Sequence, residues 1–156
     1  MQKSVAKIAI GLAVSAVLMF GADNSIGTWK RNIAKSKYTP AVANPVTSLT
    51  IVNSAAPGGV TTSVTGARKD GTPIKSDYTV KYDGKDYPVP GAPWDTVATK
   101  QVDANTFTAE LKKTGGKYHA VTKMVISKDG KTMTLTAKGT NTEGQPMTGT
   151  YIYEKQ

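Results

Sequence analysis

The chain has 156 residues, a formal net charge of +9, one histidine and no cysteine. Without cysteine it has neither disulfides nor the thiol that a bacterial lipoprotein anchor requires. Its positive charge comes almost entirely from scattered lysines, without the compact arginine cluster or aromatic signature typical of nucleic-acid binding. We therefore expect no nucleic-acid partner, and at most weak contact with anionic cell-surface polymers.

The first 22 residues have the pattern of a secretory signal peptide. Lys3 and Lys7 precede an apolar run over 8–22, and the polar residues 23–25 follow at once. A transmembrane helix needs about 20 apolar residues, more than this run contains. We predict cleavage near Ala22 and export to the periplasm or the exterior. The mature domain, 23–156, is then expected to have no integral membrane segment.

The remaining sequence alternates apolar and polar residues with a period of two, which predicts β-strands. Tyr78, Val80 and Tyr82 follow this pattern, and no window has apolar residues at helical spacing. The runs predict about ten strands, at 28–33, 46–54, 59–68, 74–82, 85–89, 95–102, 106–113, 118–127, 131–139 and 147–154.

Turn residues separate these runs. Asp70-Gly71, Asp83-Gly84 and Asp129-Gly130 supply the positive backbone angles that a two-residue hairpin needs. A meander of consecutive hairpins is compatible with a sandwich or a barrel, and closure into a barrel removes the exposed sheet edges. The predicted fold class is all-β, a single antiparallel up-and-down β-barrel of about 8–10 strands.

The Gly27-Thr28-Trp29 motif on the first predicted strand resembles the Gly-x-Trp signature of the lipocalin and fatty-acid-binding-protein (calycin) superfamily. Longer stretches look like small exported bacterial lipocalin-like proteins: GTWKRNIAKSKYTP, YDGKDYPVPG, DTVATKQVDANT and VISKDGKTMTLTAKGTNTEGQP. The resemblance implies that Gly27 permits a tight bend and that Trp29 closes one barrel end against the last strand. Lipocalins usually cover this tryptophan with a basic side chain from a late strand, often an arginine. The mature chain has only Arg31 and Arg68, so the resemblance implies Lys155 in that place.

The resemblance to fatty-acid-binding proteins would place two helices after the first strand. Residues 34–45 contain Pro40 and Pro45 and cannot supply them. We expect an irregular loop in their place.

Catalytic and metal-binding patterns are absent from the sequence. His119 lies on the same face of its predicted strand as Lys117 and Lys123, so we expect it to face solvent. Most acidic residues belong to turns. No nucleophile elbow, phosphate loop or His-Glu metal motif is present. We predict no enzyme activity, no catalytic residue, no metal and no cofactor, with a barrel-based hydrolase or isomerase as the disfavoured alternative.

Small side chains at predicted inward positions suggest an interior that is not filled, and a barrel of this size either fills its interior or holds one small ligand. These residues are Thr62, Ala98, Ala109, Ala120, Thr122 and Ala137. We predict a carrier for a small apolar or amphipathic molecule; the alternative is a ligand-free structural or envelope interaction module with a lysine-rich surface. The predicted ligand-binding residues are Arg68, Tyr78, Tyr82, Phe107, Leu111, Met124, Ile126, Met133 and Leu135.

Arg68 has two interpretations. Strand alternation points it inward, where a guanidinium can bind a carboxylate through two hydrogen bonds. It also lies two residues before Asp70-Gly71, at a strand end where the side chain would face solvent.

Overall fold

The computed structural model describes residues 22–156, so the predicted signal peptide lies outside it except for Ala22. The strands are β1 (Gly27–Thr39), β2 (Val46–Ala56), β3 (Gly59–Arg68), β4 (Pro73–Lys81), β5 (Asp83–Pro88), β6 (Thr96–Gln101), β7 (Thr106–Lys112), β8 (His119–Ile126), β9 (Thr132–Thr140) and β10 (Pro146–Lys155). Within this range, no helix has the length and apolar character needed to cross a membrane.

The ten strands form one antiparallel sheet in the order β4-β3-β2-β1-β10-β9-β8-β7-β6-β5. The sheet curls into a nearly closed barrel, which brings Val80 of β4 into one apolar cluster with Val89 and Val97. All the ladders join strands consecutive in the chain except β1–β10, where Trp29 lies opposite Lys155. The prediction of an all-β, up-and-down antiparallel barrel is confirmed.

The predicted hairpin at Asp83-Gly84 is wrong. Strands β4 and β5 occupy the two edges of the sheet, and no backbone ladder joins them in the described chain. Gly84 has a φ of 74°, but the turn leads into a register shift between Asp83 and Asp86 against β6. β4 contacts the segment after β5 instead: Ser76 Oγ donates to the backbone carbonyl of Pro90 at 2.5 Å.

The other two Asp-Gly pairs do join strands that pair with each other, β3 with β4 and β8 with β9. Their loops are longer than the predicted two residues, since β3 ends at Arg68 and β4 begins at Pro73. Asp70 and Asp129 accept hydrogen bonds from the backbone N–H groups of Thr72 and Lys131. The aspartates therefore stabilise these loops from within.

The expected irregular loop over 34–45 is half wrong, because β1 continues to Thr39. A register shift between Asn32 and Lys37 interrupts its pairing with β10. Asn32 Oδ1 accepts the Lys35 N–H at 3.0 Å, while Ser36 Oγ donates to the Asn32 carbonyl and accepts the Ile152 N–H. These side chains satisfy backbone groups that the bulge leaves unpaired, so the strand can resume.

Candidate functional site

A cavity of about 360 Å³ lies inside the barrel. Its wall is formed by the inward-facing alternate residues of successive strands and is mostly apolar and aromatic. Ligand pockets in proteins commonly measure about 300–1,000 Å³, so this space suits one small molecule.

Most of the residues predicted to bind a ligand line this cavity. They are Arg68, Tyr78, Tyr82, Phe107, Leu111, Met124, Met133 and Leu135. Ile126 does not line the cavity: it packs into the core with Trp29 and Met133 and is only 2% exposed. Its backbone N–H donates to the Asn105 carbonyl at the strand end. It faces inward as alternation requires, but it lies below the cavity floor.

Four of the small inward residues, Thr62, Ala109, Thr122 and Ala137, line the cavity. Ala98 is a wrong prediction, because its neighbours Val97 and Thr99 line the wall and Ala98 must therefore face outward. Ala120 is fully buried but does not line the cavity. The small residues on the wall leave the space that larger side chains would fill.

One end of the barrel is closed by the segment 22–26 and Trp29. Trp29 is fully buried, and its Nε1–H donates to the Ser25 carbonyl at 2.8 Å. Asn53 Nδ2 donates to the same carbonyl at 3.1 Å. Lys155 Nζ lies 5.1 Å from the Trp29 ring centroid. Trp29 thus has the burial and the last-strand contact that the sequence resemblance implied.

Asp23 extends this closed end toward the cavity floor. Its carboxylate accepts hydrogen bonds from the Ser25 N–H and from the Tyr82 hydroxyl. Burial, and then the hydrogen bond to Asp23, raise the pKa of Tyr82 well above its ordinary value. The Tyr82 ring packs against Phe107 with centroids 5.3 Å apart. The floor therefore combines an aromatic surface with a satisfied polar network.

The opposite end carries an aromatic pair and Arg68. Trp94 and Tyr118 stack with their centroids 5.3 Å apart and their planes inclined by 29°, and both line the cavity. Burial is the main cause that raises the pKa of Tyr118 to about 12, so its hydroxyl is neutral at physiological pH. Arg68 also lines the cavity, but one of its terminal N–H groups donates to the Asn44 carbonyl at 3.3 Å.

Arg31 is a cavity residue that the sequence analysis did not select. Its guanidinium carbon lies 4.3 Å from the Tyr151 ring centroid, and the side chain lines the cavity. Its Nε is the buried side-chain polar atom within residues 22–156 that lacks a hydrogen-bond partner. The signal was present in the sequence: Arg31 lies two residues after Trp29, so alternation from an inward Trp29 places it inward too.

The carboxylate and imidazole groups of residues 22–156 are not part of the cavity wall. This wall, as formed by the described residues, contains no aspartate, glutamate or histidine. His119 lies outside, exposed, with Nε2 at 2.7 Å from Glu110 Oε1. No group of three or more potential metal ligands occurs within 22–156.

No protein-family model matches this chain, and no curated protein matches its sequence. Six chains of solved structures match this one, among them a lyase and a protein bound to DFHBI. The S-type phycobiliprotein lyase CPES from Guillardia theta aligns with a TM-score of 0.55 at 11% identity, covering 85% of this chain and 89% of the lyase. A protein described as EF1p2_mFAP2b bound to DFHBI aligns with a TM-score of 0.47 at 10% identity, covering 85% of this chain and 94% of the other. At 11% identity, the likeness to the lyase is one of fold alone.

Proposed function

We propose that this protein binds one small apolar or amphipathic molecule inside the barrel, as a carrier or for sequestration. The cavity carries the proposal: about 360 Å³ of space behind a mostly apolar wall. Protein interiors are close-packed, and voids larger than a water molecule are few. A space of this size is therefore unlike a packing defect and matches a ligand site.

The alternative functions have weaker support. A ligand-free structural or envelope module would work with a filled interior, so the cavity would serve no purpose in it. A hydrolase or isomerase would need groups that transfer protons near neutral pH. Tyr78, Tyr118 and Tyr153 on the wall have raised pKa values because they are buried, which keeps their protons on. We therefore propose binding without catalysis.

The proposal is tested by titrating the protein with N-phenyl-1-naphthylamine, a neutral apolar dye whose fluorescence rises in an apolar environment. We expect saturable binding of one dye molecule. Ala109→Phe places a ring in the cavity and should weaken binding at least about tenfold, since the wall cannot expand to accept both. Ala98→Phe makes the same change on the outer face of β6 and should leave the affinity unaltered.

Two results would contradict cavity binding. Fluorescence that rises linearly without saturation would indicate nonspecific adsorption to the surface. Equal weakening by Ala98→Phe and Ala109→Phe would place the dye elsewhere than in the barrel. The far-UV circular dichroism of both variants should match the parent protein, which separates loss of the site from loss of the fold.

Export remains part of the proposal, and the barrel base indicates which residues the mature chain should keep. Asp23 and Ser25 belong to the hydrogen-bond network that closes one end. Cleavage beyond Asp23 would remove the acceptor of the Tyr82 hydroxyl. Mass spectrometry of the secreted protein should therefore find a new N-terminus between Gly21 and Asn24, with Asp23 retained in most molecules. An intact Met1 on the purified native protein would disprove processing.

A further inference from the structure

Arg31 places a positive charge inside an otherwise mostly apolar cavity. It is the next inward residue of β1 after Trp29, and it lines the cavity wall. The guanidinium lies over the Tyr151 ring, with 4.3 Å between its central carbon and the ring centroid. Because the N–H groups lie in the guanidinium plane, stacking of one face leaves them able to donate hydrogen bonds.

Arg31 is partly buried, yet the described residues give it few of the partners that a cation withdrawn from water normally has. Its Nε is buried and makes no hydrogen bond. The ion pairs found over 22–156 all involve lysines or His119, and none reaches Arg31. Even partial burial of a guanidinium without a counter-charge costs free energy. Stability alone therefore does not explain this arginine.

Arg68, the other arginine on the wall, differs in this respect. It donates to the carbonyl of Asn44, and the side-chain oxygen of Asn44 accepts the Asp70 N–H at 3.2 Å. These contacts connect the loop before β2 to the loop after β3. Arg68 thus has a structural role that accounts for its position, whereas Arg31 has a donor directed at no protein acceptor.

We propose that the cavity selects an amphipathic anion and that Arg31 binds its anionic group. The inference rests on the function proposed above, because it names the charge class of the molecule that the same cavity takes. A carboxylate or sulfonate oxygen would accept hydrogen bonds from the terminal N–H groups of Arg31 and supply a counter-charge in the same contact. The apolar part of the ligand would then pack against the wall formed by Phe107, Leu111 and Tyr118.

The test compares two dyes that share one ring system. N-phenyl-1-naphthylamine is neutral, and 1-anilinonaphthalene-8-sulfonate carries one sulfonate on the same skeleton. Arg31→Met should weaken the sulfonate dye at least about tenfold, the size of effect expected when a charged hydrogen bond is lost. The affinity of the neutral dye should change by less than about twofold. Lys30→Met is the matched control, since it removes the same charge from the adjacent, exposed residue.

The outcomes separate this inference from the function on which it rests. If neither dye binds the parent protein saturably, cavity binding itself is wrong. If both dyes bind and Arg31→Met leaves the sulfonate dye unaffected, only the anion selectivity is overturned. Equal weakening by Lys30→Met would assign the effect to overall charge and also overturn it. Should Arg31→Met lose its fold, Arg31→Gln decides, because an unchanged ratio of the two affinities there refutes the role of Arg31.

Discussion

Trp29→Ala is expected to lower the free energy of unfolding by about 3–5 kcal/mol, the usual cost of removing a large buried aromatic side chain. Trp29 has no exposed surface, and it packs with Phe107, Met133 and Tyr153 in the core. The substitution also removes the indole N–H that donates to the Ser25 carbonyl. Part of the barrel base would then lose its packing and a hydrogen bond together.

Urea unfolding followed by circular dichroism measures this loss, and Trp94→Ala is the matched control. Trp94 is partly buried and stacks on Tyr118 at the opposite end. We expect Trp94→Ala to cost less than half as much, since solvent can fill part of the space it leaves. Equal losses for the two variants would show that Trp29 does not hold the base together.

Gly139→Ala is the second substitution for which we expect a large effect. A Cβ at Gly139 would lie 1.9 Å from the His119 carbonyl oxygen and 2.7 Å from the Ala120 Cα. Both contacts are with backbone, so β8 and β9 would have to separate where Gly139 lies opposite Ala120. Overpacking of this kind costs about 1–3 kcal/mol and sometimes more, and rigid backbone on both sides favours the upper end.

Gly115→Ala distinguishes this clash from the general effect of replacing glycine. Gly115 has a φ of 68°, and a Cβ there would meet no atom within 4 Å. Its cost should be limited to backbone strain of about 1 kcal/mol. Thermal unfolding of both variants measures the difference. A smaller loss of stability for Gly139→Ala than for Gly115→Ala would show that β8 and β9 accept the added Cβ without a costly clash.

The sequence predicts the direction of side chains better than their depth. Alternation correctly places Tyr78, Phe107 and Met133 on the inner face, because the side chains of a strand alternate between the two faces of a sheet. Ile126 obeys the same alternation, yet it lies below the cavity, since alternation does not give height along the barrel axis. Height depends on how strands are staggered around the barrel, and that is set by pairing between strands.

The wrong predictions for Ala98 and for Asp83-Gly84 have different causes. Ala98 follows Val97, and only one of two adjacent residues can face inward; the larger apolar side chain takes that side. Asp83-Gly84 has the composition of a hairpin turn, but the pairing of β4 and β5 depends on the closure of the whole sheet. Arg31 was overlooked because an arginine beside Lys30 looks like surface charge until the inward face of Trp29 is taken into account.

The ladder between β1 and β10 has a consequence for how the molecule assembles. The other eight ladders of the sheet all join strands that are consecutive in the chain, three of them within β1–β4 and five within β5–β10. Each half can form its pairs over short sequence separations, whereas the pairing of Trp29 with Lys155 must bring together nearly the two ends of the domain. Contacts between residues so far apart in sequence form slowly, because loop closure must precede the gain from pairing. We therefore expect the cavity to come into existence late, when two preformed half-sheets meet.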